Sequence, residues 1–199
     1  MTEQRIMATK SRGRWHWTMT SGCLTLILGA FAFLLPEIQW MEKGGLVGWL
    51  LTLAGMSELA FGLARGSDAV GGAATGSGML TAALGVFFIA NPLLTYFPVV
   101  NLVMIWLFLR GGLVLIITLG LFGERSALWL GLTAITDILL AFALLSGLHI
   151  SVLVVMLFGP TREIIAMFAS VLGTSFLVTG ISQIAVARLE RAQLSRKLS

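Results

Sequence analysis

Three charged residues stand where charge is expensive. The chain carries 13 Lys and Arg and 9 Asp and Glu in 199 residues, and all but three lie near its ends or between long apolar stretches. The exceptions are Glu58, Arg110 and Asp137. A charge at the centre of a membrane helix costs about 2.5–3.5 kcal/mol on insertion scales, so such residues are expected to face an interior and to be paired. Arg110 lies 14 residues before Glu124, and Asp137 lies 13 after it. In an antiparallel hairpin turning at Glu124, a rise of about 1.5 Å per residue puts both at nearly the same depth, close to mid-bilayer. The spacing predicts an Arg110–Asp137 ion pair or hydrogen-bonded pair. Glu58 is six residues from the end of its apolar stretch, nearer the membrane surface, and could join Arg110 by a slight reach of the long side chain. Such a cluster can be a polar pin that fixes how the fourth and fifth helices pack. It can equally be a site for passage of protons or small solutes, or one with water or an anion beside Arg110.

The elements that position these residues follow from composition. Hydrophobic residues make up 57% of the chain and charged residues 11%, against about 25% charged in soluble domains. That excludes a soluble enzyme, a disordered chain and a nucleic-acid-binding domain; the basic balance is only +4. One Cys and two His exclude a disulfide framework and a zinc site of the usual kind. Neither a metal nor a cofactor is expected. A bilayer core about 30 Å thick needs about 20 apolar residues per helix. Six stretches qualify: Trp17–Leu35, Gly44–Ala64, Ala73–Asn91, Val99–Gly120, Ser126–Gly147 and Ile164–Ala187. Their apolar runs are continuous, which excludes a β-barrel. The fold class is all-α, a polytopic membrane protein of six transmembrane helices. A basic segment, 1–16, precedes the membrane domain, 17–187, and a basic tail, 188–199, follows it. Ten basic residues fall on the side of the termini, and only Lys43 and Arg162 on the other, so both termini are expected in the cytoplasm.

An internal repeat organises the helices. Ser21–Pro36 and Ser77–Pro92 share eight of 16 positions, at an offset of 56 that continues into the next helix. A weaker third copy aligns Leu132-Thr133-Ala134 with Leu80-Thr81-Ala82 at an offset of 52, and Gly180 with Gly111 at an offset of 69. The unit is a hairpin of two spans present three times, at 17–64, 73–120 and 126–187, with an insertion near 148–163. Copies share one orientation and are related by an axis along the membrane normal. Gly29, Gly85, Gly55 and Gly111, with Gly22 and Gly78, would let helix backbones approach closely, and Pro36 and Pro92 close the first helix of two copies. Within the insertion, His149–Phe158 is apolar but too short to span; it is expected at the outer interface, as a re-entrant segment, or capping the bundle.

With these residues in view, the chain resembles the HdeD family of bacterial acid-resistance membrane proteins. The resemblance rests on the hairpin motif at Leu24–Pro36 and Leu80–Pro92, on Trp106-Leu107-Phe108-Leu109-Arg110-Gly111-Gly112, on Thr136-Asp137-Ile138-Leu139-Leu140-Ala141 and on Gly180-Ile181-Ser182-Gln183-Ile184. It implies six helices in a bacterial inner membrane, a role in acid stress and no catalytic residues. Alternatives from the residues themselves are a small channel or carrier at Arg110 and Asp137, or a structural or assembly protein. The expected partners are the lipid bilayer, with a second copy or other membrane proteins as candidates, and no nucleic acid. Of the other polar residues, Asn101, Ser57, Thr118, Thr133, Thr136, Thr174 and Gln183 are expected to bond across helices or to the backbone. His149 is a candidate acid sensor near the outer surface, Cys23 a small packing residue, and Gly71–Gly76 a flexible linker. No phosphate loop, dinucleotide fingerprint or nucleophile elbow is present.

Overall fold

The computed structural model describes residues 2–34, 43–66, 68–91, 96–121, 125–158 and 162–198. Among them are six helices and no strand: α1 (Thr2–Ala32), α2 (Lys43–Arg65), α3 (Ala69–Ala90), α4 (Tyr96–Leu119), α5 (Arg125–Phe158) and α6 (Arg162–Leu198). Five stretches are long and apolar enough to cross a membrane: Gly45–Arg65, Ala69–Ala90, Val100–Leu119, Ser126–Gly147 and Ala169–Ala192. The remaining stretch expected to span, 17–35, is not among them: its helix ends at Ala32 and a turn follows at Phe33 and Leu34.

Each helix packs on its chain neighbours, and α6 returns to α1, so the bundle closes into a ring. Contact around the ring alternates. The long seams are α2 with α3, α4 with α5 and α6 with α1, between successive copies of the repeat rather than within the hairpins. Small residues explain this. Between helices in lipid no hydrophobic force remains, so close packing and polar contacts must hold them together. Gly55 on α2 faces Gly78 and Ala82 on α3; Gly111 on α4 faces Ala134 on α5; Gly180 on α6 faces Gly22 and Leu26 on α1. Gly55, Gly111 and Gly180 are equivalent under the repeat offsets, and so are Leu26, Ala82 and Ala134. The same contact therefore occurs three times. Gly85 packs on Gly48 and Thr52, and Gly29 on Gly173 and Leu177. Pro36 and Pro92 lie outside the described residues.

Two local expectations, on Gly71–Gly76 and on Cys23, need correction. The glycines of Gly71–Gly76 do not form a flexible linker but the first turns of α3. Gly66 turns the chain at a φ of 88°, and Asp68 caps α3 by accepting from Gly71 N at 2.6 Å. Gly71 then fits against the carbonyls of Gly62 and Gly66, where a side chain would not. α1 begins at Thr2 and α6 runs to Leu198, so the basic segment at 1–16 and the basic tail are continuous with these helices. His149–Phe158 continues α5, which is one helix of 34 residues. No Gly or Pro interrupts 148–158, and the breaker pair Gly159-Pro160 comes only after it. The His149 side chain lies outside the described residues. Finally, Cys23 is exposed rather than packed; it shares the outer face of α1 with Leu24 and Ile27.

The seams make a direct prediction. Gly55→Leu would drive a side chain into the α3 backbone, whereas a Cβ at Gly112 meets nothing within 4 Å. Overpacking costs about 1–3 kcal/mol, and each kcal/mol moves a midpoint by about 2–4 °C at this chain length. Thermal unfolding in detergent should show Gly55→Leu lower than native by about 2–12 °C and Gly112→Leu unchanged. Equal effects of the two would place the tight seam elsewhere.

Candidate functional site

The second helix of each repeat carries a buried stripe along one face, at spacings of four and three residues. Under the offsets 56 and 69 these positions form sets, one residue each from α2, α4 and α6. Val47, Val103 and Leu172 make one set, and Leu51, Leu107 and Phe176 the next; all are buried. Then come Ala54, Arg110 and Thr179, followed by Glu58, Val114 and Gln183, again all buried. Equivalent positions converge on the repeat axis, so a large side chain needs small partners in its own set. Arg110 shares its set with Ala54 and Thr179, and it donates to Thr179 Oγ1 at 3.0 Å.

Around Arg110 the structure assembles the three intramembrane charges. Nη1 donates to Asp137 Oδ2 at 2.5 Å and to Ser175 Oγ at 3.2 Å. Nη2 donates to Glu58 Oε1. Arg110, Asp137 and Glu58 are 1%, 0% and 2% exposed, so these are ion pairs shielded from lipid and solvent alike. Each carboxylate has a second donor: Ser175 Oγ to Asp137 Oδ1 at 2.6 Å, and Ser77 Oγ to Glu58 Oε2 at 3.1 Å. The guanidinium carbon lies 5.5 Å from the centre of the Trp106 ring, within cation–π range. Trp106 Nε1 in turn donates to Thr81 Oγ1 at 3.1 Å. One guanidinium thus ties α2, α5 and α6 to α4. Only its Nε, buried, has no hydrogen-bond partner.

The interior differs on the two sides of this triad. Toward the far end, the axis is filled by apolar side chains, among them Val47, Leu51, Phe88, Val103, Leu107 and Phe176. Toward the termini it is polar. Ser21 Oγ donates to Gln183 Oε1 at 3.1 Å and lies 3.0 Å from Ser57 Oγ. Thr133 Oγ1 donates to Ser182 Oγ at 2.9 Å. A cavity of about 40 Å³ opens on this side, lined by Glu58, Ser77, Thr133, Thr179, Ser182 and Gln183 among others. Phe61 and Val186, which are equivalent in the repeat, line it too, and nearer the termini lies a second ionic layer. There Arg65 pairs with Asp68 at 2.8 Å and with Glu190.

The sequence pointed to Arg110, Asp137 and Glu58, and the structure brings all three together. Ser57, Thr133 and Gln183 bond across helices, and Thr118 donates to the Val114 carbonyl at 2.7 Å; Asn101 is exposed. Ser77, Ser175 and Thr179 had not been singled out. Ser77 carried a usable signal, because it belongs to the Ser-Gly pair repeated at Ser21-Gly22. Thr179 carried another as the repeat partner of Arg110. Nothing in the sequence marks Ser175 among its neighbours.

Residues 76–146 match a family described as a short repeat of unknown function, DUF308. The match covers most of α3, all of α4 and much of α5, and so includes Arg110 and Asp137 but not Glu58. The five long apolar helices among the described residues mark the chain as a multi-pass membrane protein. No curated protein and no solved structure matches the chain.

Removing one partner of a buried ion pair costs about 3–5 kcal/mol, because the other charge is left unpaired. Arg110→Leu strands two carboxylates and should nearly abolish accumulation of folded protein. Adding Asp137→Leu should restore part of it, and adding Glu58→Leu as well should restore most. Fluorescence-detected gel filtration of membrane extracts measures this series. If the double and triple variants accumulate no better than Arg110→Leu, the pairs do not hold the bundle.

Proposed function

We propose that the chain is an HdeD-like integral protein of a bacterial inner membrane. It crosses the membrane six times with both termini in the cytoplasm, and it supports survival under acid stress without catalysing a reaction. The observation that carries this reading is the DUF308 match, which falls on the helices bearing Arg110 and Asp137. The excess of basic residues at the end holding both termini supports the orientation. The carboxylates that could do acid–base chemistry are engaged with Arg110, Ser77 and Ser175, which supports a non-enzymatic role.

A second reading, passage of a proton or small solute through the Arg110 and Asp137 region, is favoured by the cavity that reaches Glu58 from the side of the termini. A water needs roughly 10–15 Å³ of such space. The cavity, about 40 Å³, takes roughly three or four waters and no organic solute, which narrows this reading to ions. The apolar layers on the far side argue against an open channel in this conformation.

A strain lacking the gene should lose viability in acid and recover it with the native protein supplied from a plasmid. Colony counts after acid challenge, over a range of doses and cell densities, measure this. Unchanged survival throughout would overturn the acid-stress role.

A further inference from the structure

The triad does not balance. Arg110 contributes one positive charge, while Glu58 and Asp137 can contribute two negative ones, all buried. The other elements packed around it bring only neutral groups: Ser77 and Thr81 from α3, Ser175 and Thr179 from α6, Ser21 and Thr25 from α1. The nearest further charges among the described residues are Arg65, Asp68 and Glu190. They lie about two helical turns nearer the termini and are engaged with one another. A buried surplus charge costs several kcal/mol unless something neutralises it.

The structure also offers a place for the neutralising species. Glu58 lines the cavity, whereas Arg110 does not. Glu58 is the one charged residue of that lining, with one carboxylate oxygen held by Arg110 and the other by Ser77. Most of the lining is apolar, with Phe61, Val114 and Leu130 among it, and its neutral polar part consists of oxygen-bearing groups, the hydroxyls of Ser77, Thr133, Thr179 and Ser182 and the amide of Gln183. Oxygen is the ligand that small hard cations take. The volume, about 40 Å³, admits one small ion with a water, or a short chain of waters.

We propose that this cavity binds one small monovalent cation, either a proton carried in on water or an alkali ion, that balances the surplus carboxylate of the triad. The cation enters from the side of the termini, past Phe61 and Val186 and the Arg65–Glu190 pair. The far side is closed by the Leu51, Leu107 and Phe176 layer. The site deepens the ion-passage reading and rests on it. It does not depend on the acid-stress role, which the survival assay tests separately.

The test uses the full chain in lipid nanodiscs. Thermal midpoints are measured between about pH 5 and pH 8 with sodium, potassium or choline chloride at constant ionic strength, for native protein, Glu58→Gln and Asp137→Asn. Each substitution removes the surplus charge, and two are used so that one may fail to fold without ending the test. At ten times its dissociation constant a bound cation should raise the native midpoint by about 3–6 °C. A proton occupant predicts that native stability falls as pH rises, because the folded chain then holds a proton that the unfolded chain releases. An alkali occupant predicts a higher midpoint in sodium or potassium than in choline at the upper pH. In either case the neutralised variants lose the dependence. A native midpoint indifferent to both pH and cation overturns the proposal, as does a folded variant that keeps the native dependence.

Discussion

One guanidinium serves two carboxylates in the middle of an apolar bundle, and the arrangement of the helices follows from that demand. Arg110 cannot face lipid, and it cannot be satisfied by one partner. Its fork reaches Asp137 on α5 and Glu58 on α2, and takes two hydroxyls from α6. Four helices are thereby fixed in depth and rotation by a single side chain. Apolar packing alone would leave them freer to slide, because lipid competes equally well for apolar surface.

The threefold repeat explains how the bundle makes room for this. Equivalent positions on α2, α4 and α6 converge, so identical copies would crowd or starve the axis. The copies have diverged where it matters. Ala54 and Thr179 are small where Arg110 is large, and Val114 and Gln183 are uncharged where Glu58 carries a carboxylate. At the seams they have stayed alike, with Gly55, Gly111 and Gly180 each pressed on a neighbouring backbone. Symmetry is kept for packing and broken for charge, which gives a sealed apolar half and a polar half in one small ring.

Much of this was legible in the sequence because membrane helices obey simple length and charge rules. The depth arithmetic around Glu124 brought Arg110 and Asp137 level, and the repeat offsets predicted which glycines lie at close approaches. What escaped has physical causes. Glycine-rich Gly71–Gly76 reads as a linker by composition, but Gly62 and the Asp68 cap hold it helical. The hairpin is the unit of sequence, yet the close seams lie between hairpins, and spacing along the chain cannot reveal which neighbour packs tighter. Ser175 and Thr179 look like ordinary small residues of a membrane helix. Their role appears only once α6 is laid against α4. The outward direction of Cys23 is likewise set by the α1–α6 seam, where Gly22 rather than its neighbour faces α6.

The site is polar toward the termini and sealed by apolar side chains beyond. All of it depends on Arg110 holding both carboxylates at once. Solid-state NMR of the protein in bilayers, with nitrogen-labelled arginine and carbon-labelled aspartate and glutamate, reads this directly. The account predicts through-space correlations from the Arg110 guanidinium nitrogens to the carboxyl carbons of both Asp137 and Glu58. A correlation to Asp137 alone, or to neither, would contradict it.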